Sequence, residues 1–254
     1  FGMRQLGTAP AAARSLSIAL IQPSIPQTLI WDPKENTNRF QQLLRLSERA
    51  LATKPELLIW PEASVPNMLR HDPETLRAGQ QLVAAHRVWL ILGADDATPR
   101  PGSAGERQYN FHNSGFLIGP SGEIEAGYRK QRLVIFGEYV PLVRWLPFLK
   151  FLTPIGEGFT PGERAVPFRL RELQVTTSVL ICFEDTFPHL APGYAEPDTD
   201  FLLNLTNDGW FGESAAQWQH AANAVFRAVE NRVGIARAVT TGVSAFIDPS
   251  GRVH

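Results

Sequence analysis

The sequence predicts an α/β domain built on a mixed sheet, or on two sheets packed together, with helices on the outside. Three observations predict this fold class. Short β-rich runs alternate with amphipathic helical stretches in both halves of the chain. The stretch between those halves is rich in strand-forming and turn residues. The 254 residues are 44% hydrophobic and 19% charged, which is an ordinary globular balance and can supply a sizeable core.

Strands and helices alternate in the first part of the chain. Short apolar runs predict three strands, at 15–22, 56–62 and 88–94. A helix is predicted after Asp32 and Pro33, because these residues suit a cap and a first helical turn. A second amphipathic helix is predicted from about Pro73.

The remaining elements follow a polar loop that is rich in Pro and Gly, predicted at 95–108. Two strands are predicted within 109–130, joined by a turn at 119–122. Three later segments each predict a strand, the last one with a turn: 173–185, 200–208 and 237–251. A long helix is predicted from about Ser214, and its inner face is predicted to carry Trp218, Ala222, Val225 and Val229.

Charge and composition exclude several classes of function. The formal net charge is −1, so the chain offers no basic field that would bind nucleic acid. No histidine pair has metal-ligand spacing and no Gly-rich nucleotide loop follows a strand, so neither a metal site nor a cofactor is predicted. No stretch approaches 18 uninterrupted apolar residues, so no membrane span is predicted within the sequence itself.

Both ends of the sequence are typical of a segment cut from a longer protein. The first residue is Phe, and the last residues follow a turn that has just begun a new segment. We therefore expect residues 1–14 to be a linker from a missing upstream segment. The domain itself is expected to cover 15–254 and to be truncated at its C-terminal end.

Three polar residues stand where predicted strands end, namely Glu62, Lys130 and Cys182. In α/β sheets, reactive groups collect just past the carboxyl ends of strands, so we expect the fold to bring these three together. A thiol needs a base near pH 7, and its attack on a carbonyl needs a cation or donors for the oxyanion. A carboxylate, an ammonium and a thiol meet those needs. From residue types alone, a buried inert cysteine and two solvated surface charges remain the alternative.

Four segments, in the same order along the chain, resemble one known family. They read IWPEASVP, YRKQRLVIFGEYVP, ICFEDTFP and NDGWFGESAAQWQH. Together they resemble the carbon–nitrogen hydrolase (nitrilase) superfamily and, within it, the membrane branch of apolipoprotein N-acyltransferases. The resemblance covers nearly the whole chain and implies an αββα sandwich. It also implies a Glu–Lys–Cys triad, which falls on Glu62, Lys130 and Cys182.

The same resemblance implies further site residues. Glu138 of FGEYVP and Glu184 of CFED are expected to be accessory carboxylates of the active site, and the alternative is that both are ordinary loop carboxylates. Trp31 and Trp210 are expected to line the path of an acyl chain or lipid, and the alternative is burial in a core.

The function implied by the resemblance is a two-step acyl transfer. Cys182 would take a fatty acyl group from a phospholipid as a thioester, and the group would pass to the α-amine of a lipoprotein's diacylglyceryl-cysteine. Glu62 would act as the general base, and Lys130 would stabilise the oxyanion. The implied location is the bacterial inner membrane, with this domain on the periplasmic side and membrane helices in the missing segments. Phe183 and Ile135 depart from the branch's usual Tyr and Pro, but neither belongs to the triad.

Two other functions remain open on the sequence. A soluble amidase of the same superfamily would use water as the second nucleophile, in place of the amine. A catalytically inactive scaffold or binding module is a rival from another class. The intact triad residues argue against that rival, and membrane helices flanking the domain would argue against the amidase.

Residues 141–153, PLVRWLPFLKFLT, are unusually apolar for a loop. They contain two charges, Arg144 and Lys150, and are too short and too interrupted by proline to span a bilayer. A basic segment rich in aromatic residues suits the membrane interface. We therefore expect a membrane-facing cover over the active site, with Trp145 and Phe148 on the lipid path. The alternative is a helix docked on the domain's own core.

Overall fold

The computed structural model of this chain describes residues 15–30, 32–100, 109–142, 145, 148 and 158–254. Within these residues the strands form two five-stranded sheets, and each sheet is mixed. The parallel strands lie on one side of the first sheet and at the centre of the second. Helices cover the outer faces of both sheets. The expected αββα sandwich is therefore confirmed.

The first sheet contains the strands from the first half of the chain. They are β1 (Ile18–Leu20), β2 (Leu57–Trp60), β3 (Trp89–Pro99), β4 (Tyr109–Ile118) and β5 (Ile124–Arg129). Their order in the sheet follows their order in the sequence. Strands β1 to β3 are parallel, whereas β4 and β5 continue the sheet as antiparallel strands. The ends of β2 and β5 therefore lie in one sheet.

The second sheet contains the strands from the second half. They are β6 (Pro167–Leu170), β7 (Val175–Ile181), β8 (Phe201–Thr206), β9 (Gly234–Val239) and β10 (Ala245–Ile247). Strands β7, β8 and β9 are parallel, and an antiparallel strand flanks them on each side. The two sheets pack face to face, with Ile91 and Leu117 of the first sheet in the same buried cluster as Val179 and Leu205 of the second.

Four α-helices complete the described fold: α1 (Gln27–Ile30), α2 (Asn36–Leu51), α3 (Pro73–His86) and α4 (Ala215–Asn231). Helices α2 and α3 pack on the outer face of the first sheet. The Asp72 side chain begins α3 by accepting hydrogen bonds from the backbone N–H groups of Glu74 and Thr75. Helix α4 covers the second sheet through Ala224 and Ala228.

The buried face of α4 differs from the face predicted by the sequence. Trp218 and Val229 are exposed side chains, and Ala222 is exposed as well. The face that packs on the sheet instead carries His220, Ala224, Arg227 and Ala228. Apolar spacing alone predicts the wrong face because the two long buried side chains, His220 and Arg227, are polar. Hydrogen bonds to Asp208 and Asp185 make their burial possible. Of the four predicted inner residues, Val225 alone is partly buried and packs against the core, whereas the other three lie on the surface.

Several predicted strand boundaries are also wrong. Strand β3 runs on to Pro99, because residues 95–99 pair with β4 where a loop was predicted. Strand β7 ends at Ile181, and a 3₁₀ helix, Cys182–Thr186, follows it. The last predicted strand is two strands, β9 and β10. Strand β6 and helix α1 were not predicted at all.

Candidate active site

Glu62, Lys130 and Cys182 meet at one end of the two sheets. Glu62 follows β2, Lys130 follows β5 and Cys182 follows β7, so three strand ends from both sheets contribute one side chain each. The Lys130 ammonium lies 3.7 Å from Glu62 Oε1. Both of these charged side chains are buried. The Cys182 thiol is within hydrogen-bonding reach of the Glu62 carboxyl group, so the fold brings the three residues together as predicted.

Glu138 and Asn113 join this group. Lys130 Nζ donates a 2.8 Å hydrogen bond to Glu138 Oε1. The Asn113 amide nitrogen donates to Glu62 Oε1 and to Glu138 Oε1, each at 2.8 Å. The other Glu138 oxygen accepts from the backbone N–H of Val134 at 2.8 Å. The Asn113 amide thus bridges two buried carboxylates, and both of them lie near the Lys130 ammonium.

The backbone at Cys182 has the left-handed conformation, with φ of +51°. A non-glycine residue in this region stores strain of about 1–3 kcal/mol, and such strain persists only where surrounding contacts enforce it. Two contacts do so here. The Asn204 amide donates to the Cys182 carbonyl at 3.2 Å, and the Glu184 carboxylate accepts from the Ile181 N–H at 2.7 Å. The sharp turn presents the thiol just beyond the strand.

Glu184 lies beneath this turn and is fully buried. Its carboxylate accepts hydrogen bonds from the Tyr128 hydroxyl and from the backbone N–H groups of Gln131 and Arg132. Together with the bond from Ile181, these contacts tie the segment after Lys130 to the turn that carries Cys182. Glu184 therefore links two strand ends through buried hydrogen bonds.

The ionisation of the three converging residues follows from their burial and mutual charge. Burial and the Glu62 charge raise the pKa of Cys182 to about 12, against the opposing effect of Lys130. Burial also raises the pKa of Glu62 above its ordinary value, although Lys130, Asn113 and the Cys182 thiol partly oppose this. Burial alone would lower the pKa of Lys130, but the surrounding anionic groups raise it by more. At neutral pH the site thus holds an un-ionised thiol, a carboxyl group of raised basicity and a permanent cation.

A buried network of charged side chains includes Asp185, which lies on the same 3₁₀ helix as Cys182. His220 of α4 lies between two carboxylates, with Nδ1 2.6 Å from Asp208 Oδ1 and Nε2 3.1 Å from Asp185 Oδ1. Arg237 of β9 donates to the second oxygens of the same carboxylates, at 3.1 Å to Asp185 and 2.9 Å to Asp208. Burial lowers the pKa of His220, but hydrogen bonds to Asp185 and Asp208 raise it by more, to about 9. The protonated network contains two cations and two anions and is balanced.

An apolar cavity of about 660 Å³ opens beside Phe183, the residue after Cys182. Most of its lining is aliphatic or aromatic, and includes Leu133, Val134, Ile135, Tyr139, Phe159 and Phe187. Ile135 and Phe136 near its rim are exposed to solvent. The cavity beside Phe183 is therefore large and apolar enough to accommodate a hydrocarbon chain.

The predicted lipid-path residues have different outcomes. Trp31 lies outside the described residues. Trp210 is an exposed side chain on the 3₁₀ helix Asp208–Phe211. Trp145 and Phe148 are exposed by 80% and 59%, and most other residues of 141–153 lie outside the described part of the chain. Whether that segment covers the site stays a prediction.

Three site residues were missed by the sequence reasoning. Asn113 lies inside β4, in the segment FHNSG, where a polar residue in a buried strand was the available signal. The hydroxyl group of Tyr128, on β5, donates a hydrogen bond to the Glu184 carboxylate. Asp95 belongs to the segment that was predicted to be a loop, so the sequence did not predict its place in β3 opposite Asn113. The described residues contain no group of three or more His, Cys, Asp or Glu side chains that could hold a metal ion.

Comparison with protein families gives one decisive match. The model of the carbon–nitrogen hydrolase family matches residues 17–254. The chain belongs to the carbon–nitrogen hydrolase family. The four sequence segments that resembled this family are spread over that range, so the family resemblance is confirmed.

Relatives of this carbon–nitrogen hydrolase include several proteins named apolipoprotein N-acyltransferase. The one from Geobacter metallireducens is 36% identical over 256 residues, covering 100% of this chain and 47% of the relative. The one from Brucella melitensis is 33% identical and is covered to 48%, again along 100% of this chain. The chain thus spans about half the length of these relatives. In the described part of the chain, no helix has the length and apolar character needed to cross a bilayer.

Solved structures of the family confirm the fold. Several are forms of an amidase from Nesterenkonia sp. AN1, including one with acrylamide added to its active-site cysteine. That form has a TM-score of 0.62 and 19% identity, and the match covers 94% of this chain and 87% of the amidase. Another form, carrying an acetamide group on the active-site cysteine, has a TM-score of 0.65 at 18% identity. At such low identity the likeness concerns the architecture alone.

Proposed function

We propose that this domain catalyses N-acyl transfer. It would move a fatty acyl group from a phospholipid, through a thioester on Cys182, to the N-terminal amine of a lipoprotein's diacylglyceryl-cysteine. The observation that carries this proposal is the largely apolar cavity of about 660 Å³ lined by Phe183, the residue after Cys182 in sequence. A fatty acyl donor requires a hydrocarbon-binding surface of this kind near the nucleophile. The names of the relatives support the same reaction.

In the first half-reaction, Glu62 takes the thiol proton of Cys182 as the sulfur attacks the ester carbonyl of the phospholipid. The raised pKa of Cys182 means that the thiol needs such a base, and the raised pKa of Glu62 makes its carboxylate a better one. The Lys130 ammonium stabilises the negative charge that develops on the carbonyl oxygen. Glu62 then returns the proton to the departing alkoxide, which leaves as a lysophospholipid.

In the second half-reaction, the neutral amine attacks the thioester carbonyl. Lys130 again stabilises the oxyanion, and Glu62 takes a proton from the attacking nitrogen. As the amide forms, the carbon–sulfur bond breaks and the proton passes to the Cys182 sulfur. The enzyme returns to its starting state, so no cofactor is required.

We also propose that the domain works against a membrane surface, in the bacterial inner membrane and on its periplasmic side. The exposed side chains of Leu142, Trp145 and Phe148 support this placement, because three large exposed apolar groups lie close together on one short segment. They follow Glu138 closely in sequence, so a bilayer that they contact would lie near the site. Lipid donors could then reach the cavity without crossing water.

The test uses the full-length protein in micelles that contain phospholipid labelled in one acyl chain. A peptide with an N-terminal diacylglyceryl-cysteine is the acceptor. We expect label in an amide on the peptide, with one lysophospholipid formed per amide, and no transfer by the Cys182→Ala variant. Label recovered only as free fatty acid, together with hydrolysis of short amides, would instead indicate the amidase.

A second measurement tests the membrane contact. The double variant Trp145→Ser and Phe148→Ser is expected to bind phospholipid vesicles more weakly and to transfer less acyl group. The matched control changes Trp218 and Phe226 to Ser, because these are also an exposed Trp and an exposed Phe but belong to α4 and not to the segment. Equal vesicle binding by the two double variants would contradict the proposed contact.

A further inference from the structure

Asp95 lies on the face of β3 that continues into the active site. Two residues earlier on the same face, Gly93 packs so closely on the chain at Glu62 that a Cβ there would lie 2.6 Å from Glu62 Cα. Side chains two residues apart point to the same side of a strand, so Asp95 also faces the site. Its partner across the ladder is Asn113 of β4. Cross-strand partners have Cβ atoms about 4.5–5.5 Å apart, on one face.

The side-chain oxygen of Asn113 is a buried acceptor without a donor. Its amide nitrogen is engaged by Glu62 and Glu138, which fixes the orientation of the amide group. The oxygen of that amide has no hydrogen-bond partner among the described residues. An unsatisfied buried acceptor costs stability, and its presence at a site indicates a ligand that can donate.

The charge of the cluster points to a cationic ligand. Glu62, Glu138 and Asp95 are three carboxyl groups, and Lys130 is the one cation near all three in the described chain. Asp95 itself makes no hydrogen bond or ion pair to any described residue. It is partly buried and lines an opening of about 360 Å³ with Asn67, Met68 and His71.

The ionisation of Asp95 suits a group that exchanges protons near neutrality. Burial, followed by the charges of Glu62 and Glu138, raises the pKa of Asp95 to about 7, and Lys130 opposes the shift. His71 is the other titratable group that borders the same opening. A nearby ammonium would favour the ionised form of Asp95.

We propose that Asp95, together with the side-chain oxygen of Asn113, receives the ammonium group of the acceptor and takes up the proton that the amine must lose before it attacks. This inference rests on the proposed acyl transfer. An ammonium carries three donors and one positive charge, which match an unpartnered carboxylate and an unpartnered amide oxygen on one face.

The proton balance is complete. The acceptor arrives as R–NH₃⁺ beside the Asp95 carboxylate, and one proton moves to Asp95 to give R–NH₂ and a neutral carboxyl group. The lone pair so freed attacks the thioester carbonyl. The nitrogen then loses a second proton through Glu62 to the Cys182 sulfur, as the carbon–sulfur bond breaks. Asp95 finally releases its proton to water through the opening that it lines.

The experiment compares two acceptors on the acylated full-length protein at pH 7. One is the diacylglyceryl-cysteine peptide, whose amine binds as a cation, and the other is hydroxylamine, which is uncharged at this pH. For the wild type and for Asp95→Asn, kcat/KM is measured with each acceptor, and the value for the peptide is divided by the value for hydroxylamine. Asp198→Asn is the matched control, because Asp198 is a half-exposed carboxylate paired with Arg169.

We expect Asp95→Asn to lower the ratio about 10-fold or more, the scale of one hydrogen bond to a charged group, mainly by raising KM for the peptide. The control is expected to keep the wild-type ratio. A ratio within twofold of wild type in Asp95→Asn would overturn the inference. If Asp95→Asn does not fold, the same ratio is measured in Asp95→Ser.

The results that would contradict the proposed acyl transfer differ from those that would contradict only the role of Asp95. A wild-type protein that forms no acyl-enzyme, or that passes the acyl group only to water, contradicts acyl transfer itself and this inference with it. A wild type that transfers normally, together with an unchanged ratio in Asp95→Asn, overturns the role of Asp95 alone.

Discussion

The Lys130 ammonium lies 2.8 Å from Glu138 Oε1 but 3.7 Å from Glu62 Oε1. The closer carboxylate anchors the lysine, and the more distant one keeps an oxygen able to exchange a proton. In the proposed mechanism the two glutamates would therefore have different tasks, Glu138 positioning the cation and Glu62 transferring the proton. A variant of Glu138 tests this division.

Glu138→Gln is expected to lower kcat by about 10- to 100-fold. Without its closest partner, Lys130 shifts toward Glu62, which lowers the basicity of that carboxylate. Loss of the Glu138 charge also lowers the pKa of Glu62, since that charge contributes to raising it. The acid limb of the pH–rate profile should therefore move to lower pH. An unchanged limb together with unchanged kcat would contradict this role of Glu138.

Lys130→Met is expected to lower the rate of acyl-enzyme formation by about 10²-fold or more, the scale of losing one oxyanion donor. It should also destabilise the fold, because Glu62 and Glu138 would remain buried without a cation. Protonation relieves that cost, so the loss in Tm should be larger at pH 8 than at pH 5.

The matched control for the lysine variant is Lys34→Met, since Lys34 is exposed on the surface. We expect it to retain activity and Tm at both pH values. Near-normal acylation by Lys130→Met would remove this ammonium from the mechanism.

Glu184→Gln is expected to lower the free energy of unfolding by roughly 3 kcal/mol, the scale of breaking charged hydrogen bonds in a buried network. Its amide nitrogen would face donors at Tyr128, Ile181 and Gln131. Tyr128→Phe removes one of these bonds and should cost about 1 kcal/mol. Urea denaturation compares the two variants. Equal losses would show that the bonds to the backbone around Lys130 and Cys182 contribute little.

His220 gives the fold a dependence on alkaline pH. Its pKa of about 9 in the folded protein is above the ordinary value of 6.5, so its contribution to stability is complete below about pH 6.5 and is lost as pH rises through 9. The wild type should lose on the order of 3 kcal/mol across this window. His220→Gln should flatten the curve of Tm against pH, whereas His189→Gln, an exposed control, should not. Parallel curves for wild type and His220→Gln would exclude the network as the cause.

The fold class and the converging residues could be predicted because they depend on local signals. Strand periodicity places Glu62 and Cys182 at strand ends, and the family segments identify which ends belong together. The inner face of α4 could not be found in this way. Its buried His220 and Arg227 are acceptable only because Asp185, Asp208 and other partners, remote in sequence, satisfy them.

Asn113 and Asp95 illustrate a second limit. Their roles depend on the register between β3 and β4, which places them opposite each other on the face of the site. The sequence around Asp95 is polar and followed by Pro and Gly, so local propensity favours a loop. Pairing with β4 overrides that propensity and extends the strand, which no single-segment pattern indicates.

The identity of the nucleophile is tested most directly by mass spectrometry of the full-length protein after incubation with an activated fatty acyl ester. We predict one acyl adduct, on the peptide that contains Cys182, released by hydroxylamine as a thioester should be. Cys182→Ala should carry no adduct, and Cys182→Ser almost none, because the serine hydroxyl is too weakly acidic for this base. An adduct that persists in Cys182→Ala, or that forms on another residue of the wild type, would contradict the mechanism.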